Sequence, residues 1–304
     1  MKNLSVIIVI LGICSLGLQS QDRFPVKQLT FDPAQQGFPT WSPDGRYIIY
    51  QHSDRHDSIG NNGLWRMLSN GSGAKQILNE LAEHPRWSPD GSLVVFDADT
   101  GNSIKMVPAE GGEPILFLPD SIHIKNGGLP CWSPDGTRIA FIEGGGPSLC
   151  VYDAKKGEIN SILHEEGMLP LPGGWTPDGD SILVALMDRE SRKSTIWKVS
   201  SDGKVKKQIK GHHENFYRYL ALSPDGSLLV YGVMEGRHQC LYIMPAEGGP
   251  SLPLIVTEGG HNDGPSWSPD GTKIAFTSTR TGSFDVWVMI VDVEQLKKDF
   301  QADP

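Results

Sequence analysis

Three observations predict an all-β protein. One five-residue signature recurs six times, an apolar run follows each copy at a fixed distance, and a spare strand stands at the start of the chain where the last copy lacks one. Together they specify a six-bladed β-propeller of four-stranded blades, closed by the N-terminal strand completing the last blade. The copies begin at Trp41, Trp87, Trp132, Trp175, Leu222 and Trp267, at intervals of 43 to 47 residues. Those at 41, 87, 132 and 267 read Trp-Ser-Pro-Asp-Gly in full, while Thr176 replaces the Ser of the fourth copy and Leu222 the Trp of the fifth.

Each element of the unit follows from its residues. Pro-Asp-Gly is a turn: Pro fixes φ, Asp bonds the backbone ahead, and Gly accepts positive φ. The Ser and Asp of the signature are therefore structural, with no catalytic role. The run after the turn (Ile48-Ile49-Tyr50, Val94-Val95-Phe96, Ile139-Ala140-Phe141 and their equivalents) does not alternate with polar residues. A strand so composed is covered on both faces, as between two neighbouring blades. A third strand such as Thr195-Ile196-Trp197-Lys198-Val199 leads into a hairpin with Asn70-Gly71, Lys156-Gly157 or Asp202-Gly203 at its turn. A fourth strand precedes the next signature. The last copy supplies only three strands, and Phe24–Thr30 has the character of the missing one. Pairing it with the last blade removes an exposed sheet edge.

Composition narrows the function classes. A net charge of −9 argues against nucleic acid, which needs clustered Lys and Arg. Lys204, Lys206, Lys207 and Lys210 read as a solvated strand face. Lys2, the apolar run Leu4–Leu18 and the small polar residues at 19–21 have the order of a secretory signal peptide. The run is too short for a transmembrane anchor. The expected division is a signal peptide over 1–20, a propeller over 22–293 and a short charged tail over 294–304, in a periplasmic or secreted protein. Cys14 raises lipidation as an alternative, which Ile13 before it disfavours. Of the remaining cysteines, Cys131 and Cys150 fall on strands separated by roughly 9.5 Å, beyond disulfide reach. Cys240 belongs to another blade. All three read as buried small hydrophobes.

The pattern Pro-x-Trp-Ser-Pro-Asp-Gly-x-x-Ile-Ala-Phe followed by Val-Trp-Val-Met, clearest from Pro265 to Met289, resembles the TolB-like propeller repeat. The resemblance covers roughly residues 22–293. It implies a closed, monomeric propeller that holds an envelope protein or a small ligand on its loop face. The same repeat builds the propellers of prolyl-oligopeptidase-type peptidases and oligogalacturonate lyases, so it specifies fold more than function. No Gly-x-Ser-x-Gly nucleophile elbow and no His-Glu-x-x-His occur in the sequence. Asp97–Asn102 faintly resembles a calcium loop, but Pro108 stands where a bidentate Glu is needed.

The candidate site is the channel mouth. His84, His123, His164, His212, His213 and His261 precede innermost strands, and His52, His56 and His238 lie between second and third strands. The sharpest grouping is Gly260-His261-Asn262-Asp263 facing Glu83 and His84, and His213 is a further ligand-binding candidate of the ring. Arg55, Arg189 and Arg280 share one position in their blades, where they could clamp the carboxylates of a small acidic ligand such as an oligosaccharide. Tyr217 and Tyr219 offer either a stacking surface or blade packing. No cofactor is required by a binding module. The lyase resemblance implies a divalent metal on histidines as the alternative.

Overall fold

In the computed structural model, residues 21–54, 62–98, 103–118, 127–144, 146–211, 216–257 and 260–302 are described. The amino-terminal segment read as a signal peptide lies outside them. Six antiparallel sheets follow one another in chain order. In each, the strand ending at the signature (strand A) is innermost, followed outward by B, C and D. Blade 1 runs Gln35–Trp41, Tyr47–Ser53, Gly63–Leu68 and Lys75–Leu78. The other inner strands are Ala82–Trp87, Gly128–Trp132, Met168–Trp175, Tyr217–Leu222 and Asn262–Trp267.

Closure occurs as the sequence predicts. Val26–Gln28 pairs antiparallel with Asp285–Ile290 and supplies strand D of blade 6. A second short strand, Gln21–Asp22, adds a fifth member to blade 5 by pairing with Leu252–Val256. The amino-terminal segment thus clips two blades, and Arg280 holds Asp22 through two hydrogen bonds of 2.6 and 3.1 Å.

The apolar B strands explain the ring. Ile48 and Tyr50 belong to the cluster between blades 6 and 1, while Ile49 belongs to the cluster between blades 1 and 2. Val94 and Phe96 face blade 1, and Val95 faces blade 3. Alternate side chains therefore enter the two flanking interfaces, and both must be apolar. One such cluster fills each of the six interfaces. Trp87, Trp175 and Trp267 add a tie, donating Nε1–H to the Thr40, Cys131 and Ala221 carbonyls of the preceding blade at 3.0–3.2 Å. Blade 5 carries Leu222 in this position.

The signature itself is a hydrogen-bonded corner. In every copy the Asp Oδ1 accepts from the Ser or Thr hydroxyl two residues earlier, at 2.5–2.6 Å. That hydroxyl in turn accepts the N–H of the first residue of strand B, as in Ser88 with Leu93 and Ser133 with Arg138. Cys131, Cys150 and Cys240 are buried free thiols. Burial first, and for the latter two a neighbouring glutamate, pushes each thiol up to about 12.

The charged segment after the last blade is helical. Val293–Ala302 forms a helix (α1). Asp292 caps its start by accepting the Gln295 N–H at 2.9 Å. Val293, Leu296 and Phe300, spaced three and four apart, share the face that packs against blades 5 and 6, and Leu296 is fully buried. Arg23 completes the seam with Asp299 at 2.6 Å. No described helix is long and apolar enough to cross a membrane.

Candidate functional site

Every inner strand breaks register at one place, between Gly37 and Thr40, Glu83 and Arg86, Gly128 and Cys131, Pro172 and Gly174, Arg218 and Ala221, and Asp263 and Ser266. Such a bulge re-aims side chains. The residue three before the signature Trp carries it in a left-handed conformation: Phe38 (φ 49°), His84 (49°), Leu129 (52°), Tyr219 (51°) and Gly264 (52°). Four of these five are not glycine, so the strain is held by the surrounding blades.

Three of the re-aimed side chains meet. The Phe38 ring lies 4.4 Å from His84 and 5.5 Å from Tyr219, centroid to centroid, and His84 lies 6.3 Å from Tyr219. They come from blades 1, 2 and 5, so the contact spans the channel. Gly264 of blade 6 leaves the room for it: a Cβ there would come 3.1 Å from Phe38 Cδ1.

Polar groups fix this cluster. Asp97, buried on strand B of blade 2, accepts from His84 Nδ1 at 2.9 Å and from the Leu129 N–H of blade 3 at 2.8 Å. An acceptor so placed sets the His84 tautomer with its proton on Nδ1 and leaves Nε2 for other partners. Asp97 thereby ties blade 2 to blade 3 at the mouth, while residues 99–102 of the loop compared with a calcium site lie outside the described residues. Arg218 bonds Gln239 Oε1 through Nε at 2.8 Å, lies over the Tyr219 ring at 4.5 Å and reaches Asp263 Oδ2 at 3.4 Å. Burial raises the Asp263 carboxyl, and the Arg218 charge opposes that rise. Burial, then the Asp263 charge, pushes the Tyr219 phenol up. Deeper in, Arg86 donates to the Pro85 carbonyl at 3.1 Å, and burial disfavours its charge.

The expected site residues separate into distinct groups. His84 and Asp263 are brought to one channel mouth, and Asp263 and Glu83 line the same cavity. Asn262 is fully buried and structural, donating to the Gln239 carbonyl and accepting from Ser278 Oγ. His261 bridges to Gln239 through its backbone and donates its N–H to Thr279 Oγ1. Arg280 is committed to Asp22 and Ser278, so it does not offer a free clamp to an acidic ligand. Arg189 lies over the Met168 carbonyl, 3.4 Å from Nε. Arg55 and His213 lie outside the described residues, as do His56, His123 and His212. Among the described histidines, His52 stands 3.7 Å from Asp32, and His164 bonds Ser148 and Glu166. Among the described residues, no three His, Cys, Asp or Glu side chains converge to hold a metal ion. The described donors at the mouth are the His84 imidazole and the carboxylates of Asp97, Glu83 and Asp263, of which Asp97 is taken up by Leu129 and His84.

Sequence reasoning missed Phe38, Asp97, Arg218 and Gln239. It left Tyr217 and Tyr219 undivided. Tyr217 packs in blade 5 edge-on to Tyr231, whereas Tyr219 faces the channel. The available signal was the column three before the first residue of each signature, where Phe38, His84, Leu129, Pro172, Tyr219 and Gly264 all differ while the signature recurs.

No protein-family model matches the chain. Over 126 residues it is 32% identical to the uncharacterized protein Atu1656 of Agrobacterium fabrum, a match covering 41% of each sequence. Over 251 residues, 81% of the chain, it is 26% identical to the uncharacterized peptidase YuxL of Bacillus subtilis, covering 30% of that protein. The chain thus spans less than half the length of these two relatives. Among solved structures, TolB from Acinetobacter baumannii superposes over 89% of the chain and 66% of its own, with a TM-score of 0.59 and 16% identity. Repeat, blade order and superposition agree on the fold: the chain is a six-bladed β-propeller, similar in fold to that of TolB.

Proposed function

We propose that this protein is an exported, non-catalytic binding module of the cell envelope, and that it binds at the channel mouth around Phe38, His84, Tyr219 and Asp263. The observation that supports the reading is the left-handed backbone that carries Phe38, His84 and Tyr219 into the channel. Strain of this kind costs free energy, on the order of 1 kcal/mol or more per residue, persists only where the surrounding structure over-determines it, and clusters at binding sites. Here it falls on the column that varies between repeats, while the signature beside it is kept. The amino-terminal order of charge, apolar run and small polar residues supports export.

The expected result is that wild-type protein captures a ligand or partner from envelope extract and that the His84→Ala, Tyr219→Ala double variant does not. Both are compared at equal thermal stability. Undiminished capture by the double variant would remove the mouth from the account. One observation favours a second, enzymatic reading: Asp97 orients His84 as it would a general base. That reading requires turnover of the captured ligand, abolished in His84→Ala while binding persists.

A further inference from the structure

The cavity at the channel mouth has a chemical polarity of its own. Its volume is about 270 Å³, and its walls include Gln36, Phe38, Gln51, Glu83, Asp263 and Phe284. Its lining contains two carboxylates and no Lys or Arg among the described residues. Two buried oxygens in the wall lack a hydrogen-bond partner, Gln36 Oε1 and Asp263 Oδ1. Both are acceptors.

Neither is fully satisfied from within. Gln36 is 1% exposed, and its Nε2 is fixed on the Ala34 carbonyl at 2.7 Å. Turning the amide to offer a donor would break that bond and bury a second orphan. Asp263 meets Arg218 through Oδ2, and the Gly264 N–H and the Gln239 amide favour its ionised form, but Oδ1 itself accepts no hydrogen bond, nor does the buried Gln239 Nε2 donate one. A buried polar atom without a partner is costly, and a ligand carrying N–H donors would recover that cost. Glu83, exposed at the rim, adds a second carboxylate. Phe38 and Phe284 add aromatic rings, whose faces attract cations. A carboxylate ligand would meet the opposite: two like charges and no lining cation, with Arg280 and Arg218 already engaged.

We propose that the channel mouth binds a cationic donor group, an alkylammonium or guanidinium. Its N–H donors complete Gln36 Oε1 and Asp263 Oδ1, and its charge is balanced by Glu83. The assignment rests on the channel-mouth reading above and names the ligand class for that site. A lysine or arginine side chain of an envelope protein and a free polyamine present the same group.

The test titrates the protein calorimetrically with blocked tripeptides whose central residue is Lys, Arg, Gln or Glu, and with cadaverine. The expected result is saturable binding of the Lys and Arg peptides, none of the Gln and Glu peptides, and a loss of roughly tenfold or more in Asp263→Asn and in Glu83→Gln. Glu83 is exposed, so its variant keeps the test decisive if Asp263→Asn destabilises the fold. Cadaverine binding as tightly as the Lys peptide identifies the free amine as sufficient, whereas a peptide preference points to a protein partner. Either outcome supports the cation assignment. Tighter binding of the Glu peptide, or Lys-peptide binding untouched by both variants, would overturn it. Glu-peptide binding that disappears in His84→Ala would discard the cation while leaving the mouth as the binding site. No binding by any probe would also overturn the assignment, with the capture experiment judging the mouth separately.

Discussion

Removing residues 22–30 should lower the melting temperature by roughly 10 °C or more, from a loss on the order of 5 kcal/mol. The deletion takes away strand D of blade 6 and with it Leu29, buried in the cluster between blades 6 and 1. Phe24 and Val26 leave the cluster between blades 5 and 6. Three long-range polar ties go as well: Asp22 with Arg280, Arg23 with Asp299, and Thr30 with Asp285. The effect exceeds the sum of its contacts in one respect. A ring opened at one interface exposes a strand edge as well as apolar surface. Differential scanning calorimetry on the deleted and intact proteins gives the answer, and an unchanged melting temperature would refute the closure.

The second large effect is expected in acid. The turn aspartates of all six signatures, Asp44, Asp90, Asp135, Asp178, Asp225 and Asp270, are held below the model-peptide value of 3.8. The leading cause in each is the hydroxyl of the Ser or Thr two residues before, which donates to the ionised form. A carboxyl whose folded value is depressed binds fewer protons folded than unfolded. Its contribution is complete above 3.8 and is lost as the pH falls through the lower folded value. Asp263 acts in the opposite sense, since burial raises it, but it is one group against six. Each turn aspartate is largely exposed, so its single contribution is screened. The sixfold repetition makes the effect measurable. Melting temperatures between pH 7 and pH 2 should hold steady until about pH 4 and then fall continuously. Asp135→Asn should melt lower at neutral pH and decline less steeply in acid. A flat profile to pH 2 would contradict this account of the signature.

Much of the fold was legible in the sequence because the repeat states it six times. Trp-Ser-Pro-Asp-Gly fixes a turn, the apolar run fixes a strand buried on both sides, and the shortfall of the last copy calls for a strand from the other end. The helix after the last blade was less visible. Its charged residues outnumber the three apolar ones, although Val293, Leu296 and Phe300 have helical spacing. The site was legible in part, for two physical reasons. Positive φ at Phe38, His84, Leu129 and Tyr219 is imposed by the ring, and none of these residues advertises it as a glycine would. The pairing of Arg280 with Asp22 joins residues 258 apart, and only closure brings them together. Without that contact, Arg280 looked available to a ligand. With it, the arginine belongs to the seam, and the polarity of the mouth is set by Gln36, Glu83 and Asp263.

The central claim is that binding occurs at this mouth. It is tested most directly by placing a photoreactive phenylalanine analogue at position 38 and, separately, at position 290. Ile290 is 57% exposed and lines a groove with the Pro-Asp-Gly turns, away from the mouth. Irradiation in envelope extract, followed by mass spectrometry, should yield adducts from position 38 and none above background from position 290. Adducts from position 290 alone would place binding elsewhere on the propeller and contradict the account.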